Sequence, residues 1–132
     1  MVRCRATRYT IAMLATTDVV PDRWSEYLDA ITDELLNETV SIVVSDPASS
    51  PTVEASRLAL QGLSYDQRND VFEVAAARGG PHLPSVLRHF VDHPTRIAVD
   101  SRASLWPTLI EIDDVDGIRT TITIGRAAPF AG

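Results

Sequence analysis

The chain has 132 residues, 45% of them apolar and 23% charged, which fits one globular domain and excludes a disordered chain, a coiled coil and a collagen-like repeat. A single cysteine, Cys4, leaves no intrachain disulfide framework and no cysteine-rich zinc or iron–sulfur centre. The 12 basic residues, all arginine, stand against 18 acidic ones for a net charge of −6, a balance that repels phosphate backbones and argues against nucleic-acid binding.

Residues 1–17 read as a flexible leader. Arg3, Arg5 and Arg8 precede an apolar run to Ala15 that is too short and too interrupted for a signal peptide, and Met13 offers a second possible start. No stretch reaches transmembrane length, so a cytoplasmic protein without membrane contact is expected. One domain is expected over 18–125, with a patternless tail at 126–132.

Within the domain, Trp24, Leu28, Ile31 and Leu35 recur at helical spacing after Pro21, and Asn37 suits a left-handed stop. They predict a long amphipathic helix over 21–36. Val40, Ile42 and Val44 alternate with polar residues and predict a half-buried strand. Asp46 to Pro51 is a loop by composition. A second strand is expected near 53–64, where Gly62 shifts the apolar phase from Leu60 to Leu63 as a bulge would. A turn over 65–70 and a third strand, Val71 to Ala76, complete a hairpin.

Leu83, Val86, Leu87 and Phe90 then recur at helical spacing and predict a short central helix over 84–92, ended by His93-Pro94. Ile97 and Val99 mark a short strand. Trp106, Ile110 and Ile112 line the next, with Trp24 and Trp106 read as core residues. Asp116-Gly117 signals a hairpin turn before a last strand carrying Ile118, Ile122 and Ile124. The expected fold is α+β: a single, mostly antiparallel sheet of five or six strands packed by one long N-terminal helix and one short central helix. Thr121, Thr123, Ser41 and Arg119 are left on its polar face.

Read in order, Trp24-Ser-Glu-Tyr-Leu28, Leu60-Gln-Gly62-Leu-Ser-Tyr65-Asp66, Asp70-Val-Phe-Glu-Val and Leu87-Arg-His89-Phe-Val-Asp-His93-Pro94 form a recognisable set. Val99-Asp100 and Leu109-Ile-Glu111 through Asp116-Gly117-Ile-Arg119 continue it. The set resembles a family of small uncharacterised bacterial proteins, a domain of unknown function, over residues 20–125. The Pro/Ser loop at 47–51 and the segment Gly79–Leu83 depart from the pattern. The family has no established activity, so the resemblance implies no catalytic residue and no cofactor.

Three groupings could carry chemistry. His89 and His93, with His82 further off, have the spacing that places two imidazoles on one helix face, where Asp92 or Asp100 could complete a metal site. The structural account sets His89 at the flank of the apolar face and His93 at a helix C-terminus, where an imidazolium meets the dipole favourably. Tyr65 and Asp66 with Asp70 offer a phenol and two carboxylates at a turn, suited to acid–base work or simply to capping the turn. Asp113 to Gly117 has the look of a calcium loop, but Ile112 and Thr123 would stand first and twelfth, so the opening carboxylate and the bidentate Glu are missing. There is no phosphate loop, no Gly-x-Ser-x-Gly and no lysine for a Schiff base.

The expectation is therefore a non-enzymatic, acidic domain that binds an unidentified protein partner or forms a homodimer. Self-pairing would run through the strand near 96–100 or the last strand. The alternative is a sensor module that binds a metal or small ligand through the His-containing central helix.

Overall fold

Pro21–Arg23 form a 3₁₀ turn that leads directly into helix α1, Trp24–Leu35. Proline at the start supplies a preset φ and lacks an N–H that would go unpaired there. In this computed structural model, which describes residues 16–78, 85–100 and 107–125, α1 is the only α-helix among the described residues. It buries Trp24, Leu28, Ile31 and Leu35, the apolar stripe expected of it. Asn37 ends it in the left-handed region, at φ 71°. The Asn37 N–H then donates to the Leu60 carbonyl at 2.8 Å, fastening the helix end to the sheet.

The remaining elements are strands: β1 (Thr17–Val19), β2 (Thr39–Ser45), β3 (Thr52–Asp66), β4 (Val71–Arg78), β5 (Ser85–Asp92), β6 (Pro94–Asp100), β7 (Leu109–Asp114) and β8 (Arg119–Gly125). They build one eight-stranded sheet in the order β1-β6-β7-β8-β2-β3-β4-β5, antiparallel throughout. This corrects the expected fold class: the described residues are mostly sheet, with eight strands among them rather than five or six, and the stretch 85–92 is strand rather than a central helix. The segment read as that helix is β5. Its apolar residues satisfy helical spacing, but Leu87, His89 and Val91 also alternate, and pairing with β4 along its whole length decides between the two periods.

Both faces follow from the register. Val40 and Ile42 stand beside Ile124 and Ile122, and Ile122 beside Ile110; all are buried and share the face on which α1 packs. Thr39, Ser41, Thr121 and Thr123 take the opposite, polar face. The shift at Gly62 is present: the β3–β4 register slips between Leu60 and Gly62. The N–H of Leu63, just past the slip, donates to the Thr32 hydroxyl of α1 at 3.0 Å. Thr32 in turn donates to the Leu28 carbonyl at 2.7 Å, so the helix supplies a partner where the ladder is broken.

A second consequence of the strand order matters for the site. β5 ends the sheet at one side, yet it runs into β6, next to the opposite side, through His93 alone. The sheet must therefore curl until β5 and β6 meet end to end. His93 makes the corner at φ 55°. His89 on β5 faces Thr120 on β8 across the curled interior, with Nε2 3.4 Å from Oγ1. No helix among the described residues is long and apolar enough to cross a membrane.

Candidate functional site

The β3–β4 turn, the β5–β6 corner and the β7–β8 hairpin converge on His93. Its N–H donates to the Asp70 carbonyl at 2.8 Å, and its own carbonyl accepts from Val115 N–H at 3.2 Å. Asp70 sits at φ 56° and turns its carboxylate between two side chains. Oδ1 accepts from the Tyr65 hydroxyl at 2.6 Å, and Oδ2 lies 3.1 Å from His93 Nδ1. The Tyr65 ring meets Trp24 edge-on, centroids 5.1 Å apart, so the cluster is tied to α1 as well. Of the residues singled out in sequence, Tyr65, Asp70 and His93 are thus brought together. Asp66 is not: its carboxylate accepts from the N–H groups of Arg68 and Asn69 and from the Asn69 amide, and holds the turn.

The electrostatics of Tyr65 and Asp70 do not suit either to acid–base work near neutrality. The hydrogen bond to Asp70, then burial, then nearby carboxylate charge push the Tyr65 phenol up to about 12. The hydrogen bonds from Tyr65 and His93 hold Asp70 below the usual carboxylate value. Tyr65 and Asp70 are each driven further into their resting states, whereas a working acid or base needs the reverse. The trio acts as a latch. Neutral phenol is the favoured form, so the Tyr65 contribution is present below its ordinary pKa of about 10 and lost as pH rises through about 12. The Asp70 contribution is present above the ordinary carboxylate value and lost as pH falls through its lowered one. In a phenolate absorbance titration, Tyr65 is expected to ionise near 12, and Asp70→Asn to return that transition towards 10.

The two candidate metal-ligating histidines stand apart in role. His89 is half-buried on the inner face, where desolvation holds its pKa below the ordinary value against an opposing pull from Glu54. His93 is exposed at the corner. Because the segment is a strand, the helical spacing that paired them does not apply. Both nevertheless line one open depression of about 400 Å³, with Phe90, Asp92, Asp114 and Thr120. Among the described residues no group of three or more His, Cys, Asp or Glu side chains gathers where one metal ion could be held. His82, Trp106 and Cys4 lie outside the described residues, as do most of the leader and the tail.

The strands expected to self-pair are interior. β6 lies between β1 and β7, and β8 between β7 and β2. The sheet's two outer strands are β1 and β5, and they differ sharply. β1 is three residues long and carries Asp18, which bonds Arg96 at 2.9 Å. Arg96, Asp113 and Arg119 continue an ion-paired row across β6, β7 and β8. A short, charged edge discourages strand addition. β5 has eight residues, and two large apolar side chains on it are more than half exposed, Val86 at 56% and Phe90 at 52%. The bond from His93 N–H to Asp70 fixes the phase of the β4–β5 ladder. By alternation, Leu87, His89 and Val91 exchange hydrogen bonds with β4, while the backbone groups of Val86, Arg88, Phe90 and Asp92 point away from it. Among the described residues no strand takes them up.

Residues 15–129 match a family of unknown function, DUF5335. The chain belongs to the DUF5335 family. An uncharacterised protein of Aquifex aeolicus (strain VF5) is 31% identical to this DUF5335 chain over 117 residues, covering 89% of it and 98% of the relative. No solved structure matches it.

Sequence reasoning missed the β5 edge of this DUF5335 member. A signal was present: Val86, Arg88, Phe90 and Asp92 alternate against Leu87, His89 and Val91. It was hidden by the equally good helical spacing of the same few apolar residues. Beside the edge, Val53, Ala55 and Leu58 of β3 and Leu87 of β5 line a groove of about 530 Å³.

Proposed function

We propose that this DUF5335 chain is a non-enzymatic interaction module that binds another protein surface by strand addition at β5. The observation that carries the reading is the eight-residue edge, unpaired among the described residues, with Val86 and Phe90 exposed upon it. Main-chain hydrogen bonds would supply affinity and the alternate side chains selectivity. Proteins normally blunt such an edge with charge, proline or brevity, as β1 does here. The locked charge states of Tyr65 and Asp70 support a non-catalytic role for the nearby latch.

The test is quantitative co-purification from native-host extract, comparing the wild-type chain with Val86→Lys/Phe90→Lys. A stoichiometric companion, either another protein or a second copy, is expected with wild type and is expected to be lost with the variant. Wild-type chain recovered alone and monomeric would overturn the reading.

A ligand-binding sensor is the second reading, favoured by one observation: His89 and His93 line the same depression. Its test is calorimetric titration of metal-free protein with Zn²⁺. Uptake at micromolar affinity or tighter that disappears in His89→Ala/His93→Ala would shift the assignment to this reading; heat at the baseline level would end its metal form.

A further inference from the structure

We infer that the partner at β5 is a second copy of this chain, paired antiparallel about a two-fold axis through Phe90. This rests on the strand-addition reading and goes further by naming the occupant and the register. Across a two-fold axis the same strand faces itself, so each side chain must suit the one it meets. The edge presents Val86, Arg88, Phe90 and Asp92 in that order, apolar, positive, aromatic and negative. Centring the axis on Phe90 sets the two Phe90 rings opposite each other. It also sets Arg88 of each copy opposite Asp92 of the other, twice.

Other registers fit less well. Centring on Arg88 opposes like charges. Centring on His89 opposes Arg88 to Phe90 and Val86 to Asp92, spending both charges on uncharged neighbours. Axes that fall between residues set backbone groups pointing outward against residues already bonded to β4. The Phe90 register avoids this, because Arg88, Phe90 and Asp92 all have on the open side N–H and C=O groups that no described strand takes up. It also keeps the inner-face residues His89 and Val91 on a common face, so the two sheets would join into one. The ladder stops where Pro94, which has no N–H, meets Val86. Arg88 lies 3.4 Å from Glu73 of its own β4, with 65% of its side chain exposed, so it can reach across the edge without leaving that partner.

The deciding experiment is analytical ultracentrifugation of the purified full chain from about 1 μM to about 500 μM. Wild type is expected to dimerise. Arg88→Asp alone and Asp92→Arg alone each bring like charges face to face, and each is expected to weaken dimerisation roughly tenfold or more. Mixed together, the two variants become complementary at both crossings, and the mixture is expected to recover wild-type affinity as a heterodimer. Only a direct Arg88-to-Asp92 contact between copies predicts that rescue, and circular dichroism of each variant confirms that it folds. A wild-type monomer across the range overturns the inference, as does a dimer indifferent to the single substitutions or one that mixing does not restore. A monomer that still co-purifies a β5-dependent partner from extract would end this inference while leaving the strand-addition reading in place.

Discussion

Phe72→Ala is expected to lower stability by about 3–5 kcal/mol, the usual cost of removing a fully buried aromatic ring from a core that closes only partly around the gap. Phe72 is 0% exposed and stands on β4, beside Tyr65 of β3 and Val91 of β5 in the register. Its ring supports the strand that carries the proposed edge and the tyrosine of the latch. Domains of this size hold a net stability of only about 5–15 kcal/mol, so the loss is a large share. Thermal melting should show it as a fall of roughly 10–20 °C. Phe72→Leu keeps most of the volume and should lose clearly less. Equal, small effects of both would show that Phe72 is not a core residue.

Trp24→Ala is expected to cost a similar amount, about 3–5 kcal/mol, and to do something further. The Trp24 indole is buried, and its Nε1–H donates to the Val19 carbonyl at 2.8 Å. That bond ties the end of β1 to the start of α1. Without it, three residues of strand are left to cover the side of β6. The variant should therefore show faster amide exchange in β1 and β6 than in β3 and β4, together with salt-insensitive aggregation through the uncovered edge. Trp24→Phe separates the two roles: it retains ring packing near Tyr65 but has no donor for Val19. It should lose less stability than Trp24→Ala while showing the same fast exchange in β1. Protection of β1 unchanged in Trp24→Phe would show that the indole bond does not hold the strand.

Several elements were legible in the sequence because their signals are local. Trp24, Leu28, Ile31 and Leu35 mark one helical face, and Asn37 can adopt the left-handed turn that ends it. Val40 and Ile42 alternate with polar residues as β2 requires. Gly62 announced the slip in β3, and Gly117, at φ 81°, the β7–β8 turn. The candidate site was legible in part. Tyr65 and Asp70 flank a turn and were singled out together, but their third member, His93, is supplied by a corner between two strands that was read as the end of a helix.

By itself, then, the sequence determined which residues are apolar, with what period, and where the chain can turn, since each of these depends on neighbours a few positions apart. The tertiary structure decided the rest. Whether Leu87 to Val91 became strand or helix depended on β4 offering a ladder along its length. That Phe90 stands exposed while Phe72 is buried depended on the β4–β5 register, which sets Phe72 beside buried Val91 on the covered face and Phe90 beside Glu73 on the other, and that Phe90 lies at an edge depended on the strand order. Strand order is set by pairing between distant segments, and a periodicity of two or of 3.6 residues records which face of a strand or helix is apolar but not which strand lies beside it.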